Sequence, residues 1–325
     1  MTSHHVTKVG VLGATGQQGG AVADALSKKG IEVVAITRNP DSEKAKVLAS
    51  QPMTTVRKAD LNDVESLKAA FEGCDGAFVI ANFWEGMNVE TEMQQYKNAA
   101  EALKATPTIK HIVYSTLEES VLPGITDDFK VLHEHPETGK MYVPHFDSKA
   151  RSEAYFEGLP VTFMVTSCYF ENFTSFFTFY GNEDGSYTFT LPLSTDKKIP
   201  WTIMPDLGVL VASVLTKPEL IGQRIGQASF IVTGDELAEI LSQITDKKVT
   251  YNCVPWDVFA KFPFPGADEM AQMFELWLRT NDAFCAARAI APQEELISPS
   301  KLSDPVEYGK TLSDKLLFQE YQSST

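Results

Sequence analysis

Residues 8–20 read KVGVLGATGQQGG, and the fold follows from this stretch. Val9, Val11 and Leu12 form a short apolar run that stops at Gly13. Glycine returns at Gly16 and Gly19, and Ala21, Val22, Ala25 and Leu26 then take up helical spacing. The pattern predicts strand, turn and helix in succession. In such a turn Gly13 supplies backbone angles closed to other residues, Gly16 lets the main chain approach a pyrophosphate, and Gly19 permits close packing of helix on strand. The unpaired N–H groups at the helix start then face the phosphates. The spacing is G-x-x-G-x-x-G rather than G-x-G-x-x-G, so the turn alone is also compatible with a plain tight turn, and its context carries the assignment.

The first helix is expected to close at Gly30 after Lys28 and Lys29, and Ile31 to Ile36 to form a second buried strand. A dinucleotide fold that prefers NAD usually has an acidic residue at the end of that strand, about 20 positions beyond the glycines. Here the place is taken by Thr37-Arg38. A guanidinium suits a 2′-phosphate that a carboxylate would repel, which predicts NADP(H) over NAD(H) with Arg38 as selector. An exposed loop arginine is the plain alternative.

Downstream, Thr54 to Ala59 predicts a third strand ending at Asp60, either an acceptor for the adenine amino group or a helix cap. A fourth strand, Gly76 to Ala81, leads into Asn82-Phe83-Trp84, which either cover the ribose and nicotinamide or pack beneath a loop. After a fifth strand, Lys110 to Ser115, residues 117–144 form an irregular stretch with the length of a lid, binding loop or mobile segment. His133, His135 and His145 lie in or beside it, but their spacing is weak evidence for a metal, and none is assigned. A helix from His145 to Phe156 sets Lys149 and Glu153 four apart on one face, and Val161 to Thr166 makes strand six.

Six strands alternating with helices predict an α/β doubly wound parallel sheet whose ligands lie at the strands' carboxyl ends. Residues 1–168 are read as the dinucleotide-binding domain and 169–325 as a smaller α+β C-terminal domain, with 206–217 a candidate to pack back on the first. The segment 169–180, YFENFTSFFTFY, is one wall of a pocket or a seam between domains. The tail after Pro292 is read as peripheral.

Composition narrows the function classes. The 325 residues carry 43 acidic against 28 Lys plus Arg, a formal charge of −15, and no basic cluster able to neutralise a nucleic-acid backbone. No apolar run approaches the ~18 residues of a membrane span, and the N-terminus shows no signal core, so neither membrane insertion nor export is expected. Four cysteines without CxxC spacing suit a reducing compartment, cytoplasmic and possible also for the nucleus.

Taken together, VLGATGQQGG at 11–20, TRNP at 37–40, KADL at 58–61, HFDSK at 145–149 and YFEN at 169–172 resemble the NmrA-like family of atypical short-chain dehydrogenases/reductases. The similarity extends to Asp206-Leu207-Gly208 and Val249-Thr250-Tyr251-Asn252. The resemblance implies a Rossmann domain with a smaller C-terminal domain, a preference for NADP(H), and kinship with redox-responsive regulators that bind transcription or signalling proteins. It also implies that Gly13, Thr15, Gly16, Gln17 and Gln18, with Gly19 behind them, cradle the cofactor. Arg38 would stand at the 2′-phosphate and Lys149 near the nicotinamide ribose, with Tyr169, Phe170 and Asn172 at the nicotinamide end.

Working short-chain dehydrogenases carry Tyr-x-x-x-Lys on this helix, the lysine lowering the tyrosine pKa for proton exchange. Here the position four before Lys149 is His145, and ordinary carbonyl reduction has lost its acid. Two functions follow. The favoured expectation is an NADP(H)-sensing module that binds a regulatory or signalling protein through residues 117–144, with little or no dehydrogenase activity. The other is a reductase resembling the isoflavone and phenylcoumaran benzylic ether reductases, acting on a small flat substrate with Lys149 as acid-base group and Glu153 as its orienting neighbour. A ribose hydrogen bond without chemistry is the plain role for Lys149.

Overall fold

In the computed structural model, residues 5–321 are described. Seven strands form the main sheet: β1 (Lys8–Val11), β2 (Glu32–Thr37), β3 (Thr54–Lys58), β4 (Gly76–Val79), β5 (His111–Thr116), β6 (Val161–Val165) and β7 (Arg224–Gly226). All pair in parallel, in the order β7-β6-β5-β4-β1-β2-β3. This is a Rossmann-type sheet. The central strands are buried almost end to end because both faces are covered, and alternate residues serve different cores. Val33 and Ala35 belong with Val22, Leu26, Leu207 and Leu210 on one side, whereas Val34 and Ile36 join Phe71, Tyr96 and Leu103 on the other.

Five helices matter for the site: α1 (Gln17–Lys28), α2 (Val89–Lys104), α3 (Pro144–Ser152), α4 (Met204–Val214) and α5 (Ala267–Arg279). Helix α4 lies against α1 at a crossing that requires glycine, since a Cβ on Gly208 would fall inside 3.0 Å of the Ala21 carbonyl. Together with β7, it brings residues from beyond 200 back onto the first sheet. Six strands were expected there. The seventh is three residues long and sits at the edge, too short for any periodicity to reveal it.

The second half of the chain encloses its own core around Phe173, Phe179, Phe189 and Trp201. Its four-stranded sheet takes its last strand, Leu317–Gln319, from the tail, and Phe318 stacks on Phe179 with ring centroids 4.9 Å apart. The tail is therefore not peripheral. Ser303 also donates to Asp206, and Gly309 fits against Ile244 and Phe170.

Residues 117–144 are irregular except for a short hairpin, His133–His135 with Gly139–Met141. The segment is nonetheless tied down. Asp147 on α3 accepts from the Ser120 N–H at 2.6 Å and from the Tyr142 and Val143 N–H groups, and Arg279 on α5 holds Asp128 at 2.5 Å. His133 faces Glu90 at 3.0 Å, and among the described residues no group of three or more His, Cys, Asp or Glu side chains could hold a metal ion. No described helix is long and apolar enough to cross a membrane.

Candidate dinucleotide and substrate cleft

The carboxyl ends of the strands open into one cleft of about 1020 Å³, the upper end of the range for small-molecule sites. Its floor is the turn between β1 and α1. Gly13 stands at φ +62°, and the Gly16 N–H donates to the Gly13 carbonyl at 2.8 Å. A Cβ on Gly19 would fall inside 3.0 Å of the Gly13 and Leu12 carbonyl oxygens, so helix and strand can approach this closely only with glycine. The start of α1 has no side-chain cap and no acidic residue in its first turn. Its amide groups and positive dipole end are thus left to an anionic ligand, and Gly13, Thr15, Gly16, Gln17, Gln18 and Gly19 all line the cleft. This donor set fits a dinucleotide's pyrophosphate.

At the end beside β2 and β3 the cleft is lined by Arg38, Lys44, Asp60 and Glu85. Arg38 is not a free cation: its guanidinium meets the Glu85 carboxylate at 2.7 Å, a hydrogen bond that holds its pKa above the usual value. Asp60 does not cap the following helix. Asp63 does so, while Asp60 accepts from the Asn62 N–H at 2.8 Å and stays at the cleft edge. Asn82 also lines the wall. Phe83 shows part of its surface there but is 3% exposed and packs with Val89, Met93 and Met141.

The middle of the cleft belongs to α3. Tyr114 donates to the Lys149 carbonyl at 2.8 Å and so fixes this helix on β5. The Lys149 ammonium, 12% exposed, pairs with Glu92 of α2, 2% exposed, and Ser148 donates to the same carboxylate. Glu153 is not the neighbour of Lys149. The α-helix ends at Ser152, so the one-turn register is lost, and Glu153 instead accepts from Thr116 at 2.6 Å and pairs with Arg224 at 2.6 Å. His145 lies one turn before Lys149 with its Nδ1 2.6 Å from Glu269 of α5, and that carboxylate also accepts the His145 backbone N–H at 2.7 Å.

Beyond Lys149 the cleft becomes an apolar chamber, walled by Trp84, Phe176, Phe177, Met270, Met273 and Trp277. The Trp84 ring lies 4.8 Å from the His145 ring. The segment 169–180 forms one wall of the cleft and, behind it, part of the second half's own core rather than a seam between domains. Tyr169, Asn172, Phe176 and Phe177 face the cleft, while Phe173 and Phe179 fill the core behind it. Tyr169 accepts from the Gln18 amide, whose oxygen accepts from Ser115 at 2.8 Å, and burial pushes the phenol's pKa up. Phe170, expected at the nicotinamide end, does not line the cleft. Its side chain turns to the opposite side from Tyr169 and is 1% exposed against Phe173 and Phe230. Sequence reading missed Lys44, Glu85, Glu92, Glu269 and the chamber's Met270, Met273 and Trp277, none of which belongs to a local pattern.

The model of the NmrA-like family matches residues 5–308. The chain is 29% identical over 304 residues to an NmrA-like family domain-containing oxidoreductase, FrzB of Cladobotryum sp, covering 86% of each chain. To quinone oxidoreductase 2 of Escherichia coli (strain K12) it is 29% identical over 248 residues, 75% of this chain and 76% of that one. Among solved structures, the negative transcriptional regulator NmrA in complex with NAD aligns over 96% of both chains at 21% identity with a TM-score of 0.74, and its NADP complex aligns with 0.70 at 20% over the same shares. The chain belongs to the NmrA-like family.

Proposed function

We propose that the protein is an NAD(P)(H)-dependent reductase of small, flat, apolar acceptors. One observation carries this: the anion-binding turn and the aromatic chamber are two ends of a single cleft, with the Lys149–Glu92 pair where they meet. The glycine turn would hold the pyrophosphate, and Arg38 the 2′-phosphate of NADP(H). Gln18, Tyr169 and Asn172 would position the ribose and nicotinamide beside Lys149. When bound, the nicotinamide supplies a hydride. The chamber orients a planar acceptor and excludes water, and Lys149 Nζ, positioned by Glu92, donates the proton that the acceptor's oxygen needs. Relatives named as oxidoreductases support this choice over the sensor favoured by the sequence alone. All four cysteines are free, which suits a reducing compartment, the cytoplasm and by extension the nucleus.

The test is NADPH consumption with a panel of quinones and enones, for the wild type beside Lys149→Ala. Loss of a positioned proton donor is expected to lower kcat by about 100-fold. The dissociation constant for NADPH should change by less than about fivefold, since the pyrophosphate contacts are backbone. NADPH binding without consumption by any acceptor would contradict the reductase.

One observation favours the regulatory alternative, a cofactor-reading protein with a protein partner. The phenol position of α3 is His145, already engaged by Glu269, while Ile125 and Val131 of the 117–144 segment are exposed. That reading requires partner affinity to differ with and without NADPH, by linkage.

A further inference from the structure

The adenosine end of the cleft carries its own counter-charge. Arg38 follows β2, where a carboxylate would select against a 2′-phosphate, and by that rule alone the chain would be strongly selective for NADP(H). Yet the carboxylate is present, supplied from a different strand. Glu85 reaches Arg38 at 2.7 Å from the turn after β4, on the other side of β1 in the sheet. Two cations, Arg38 and Lys44, and two carboxylates, Asp60 and Glu85, line this end of the cleft, so the formal charge that a 2′-phosphate would meet there is zero.

An exposed ion pair is usually weak and mobile, and this one is exposed, at 61% and 54%. The turn that carries it is not loose. Phe83 is buried, Met87 is held at φ +48°, and the Met87 and Trp84 side chains close on the α-carbon of Gly266, where a Cβ would fall within 3.0 Å of Met87. Backbone bonds close the turn around Glu85, the Met87 N–H donating to the Phe83 carbonyl at 2.7 Å, so the carboxylate is presented to Arg38 from an ordered base. For a 2′-phosphate to take the guanidinium fork, that carboxylate must withdraw or share it, at the cost of repulsion between like charges. A ribose 2′-hydroxyl imposes no such demand.

Resting on the dinucleotide reading of the cleft, we infer that Glu85 is a built-in competitor for the 2′-phosphate, a specificity-determining residue that blunts the selectivity of Arg38 and leaves both NAD(H) and NADP(H) usable.

The experiment is equilibrium binding of NADP⁺ and NAD⁺ to the full chain, as wild type, Glu85→Gln and Glu85→Asp, at low and high salt. Glu85→Gln is expected to strengthen NADP⁺ binding by about fivefold, the upper range for an exposed charge pair, and NAD⁺ binding by less than about twofold. The gain should shrink as salt screens the site. Glu85→Asp, which keeps the charge on a shorter reach, should move the ratio less than Glu85→Gln. In the Arg38→Ala background, Glu85→Gln should lose most of its effect, because the contested cation is gone. An unchanged NADP⁺ to NAD⁺ ratio in Glu85→Gln, with both nucleotides binding, overturns the competitor and leaves the dinucleotide site standing. Absence of binding of either nucleotide to the wild type overturns the site itself and the inference with it.

Discussion

The glycine-turn trough and the apolar chamber share one cleft but are built in opposite ways. The trough is made by contiguous chain, Gly13 to Gly19, and works through backbone: a positive φ, a close approach and uncapped amides. The chamber is gathered from the turn after β4, the segment after β6 and helix α5, and works through side chains. The polar pairs beside it join residues far apart in sequence, Lys149 with Glu92 at the junction and His145 with Glu269. A backbone site tolerates no added atom. A site assembled from side chains yields by degrees.

Substitution at the trough should therefore have the largest effect. Gly19→Val places a branched side chain where even a Cβ meets the carbonyls of Gly13 and Leu12. It is expected to lower stability by about 3 kcal/mol, as overpacking against backbone does, and to abolish detectable NADPH binding. Chemical denaturation and fluorescence titration check both. A Gly19→Val protein that binds normally would break the contrast at its strongest point.

The junction should respond next. Glu92→Gln leaves the Lys149 ammonium without its counter-charge in a nearly buried position, a loss of about 2–4 kcal/mol once the ammonium's partial exposure is allowed for. Denaturant midpoints would report the loss. NADPH affinity should stay within about threefold, because the amides proposed to hold the pyrophosphate belong to another element.

The smallest effect belongs to the chamber wall. Trp84→Ala removes one aromatic face beside His145 and the contact with Gly266. It should raise the KM for a planar quinone by about fivefold, the loss of one ring contact, and leave the NADPH dissociation constant the same or lower, since a looser turn lets Glu85 contest Arg38 less. A rise in the NADPH dissociation constant as large as the rise in KM would mean that the two ends are not separable.

The same contrast explains what could be read from the chain. The glycine turn, Arg38 and the strand-helix alternation were legible because each is a local consequence of backbone sterics or of a 2.0 or 3.6 residue period. The Lys149 position was legible from its helix. Its partner was not: Glu153 has the right spacing for a continuous α-helix, but the helix stops at Ser152, and Glu92 is 57 residues away. The family resemblance sets Phe170 beside Tyr169 at the nicotinamide end, but Tyr169 lines the cleft and Phe170 is buried in the core. The edge strand β7 and the terminal strand 317–319 are three residues each, and tertiary pairing alone defines them. Arg38 was correctly set at the cleft, but the carboxylate opposing it comes from beyond β4 and leaves no trace at the end of β2.

The central claim is that one cleft holds a nicotinamide dinucleotide at the glycine turn and a flat acceptor in the adjoining chamber. A crystal structure of the protein grown with NADP⁺ and a planar quinone tests it most directly. The account predicts the pyrophosphate on the Gly13–Gln18 turn, the nicotinamide beside Lys149 and Asn172, and the quinone against Trp84 and Trp277. A dinucleotide bound elsewhere, or a chamber filled by the dinucleotide with no room for the quinone, would contradict it.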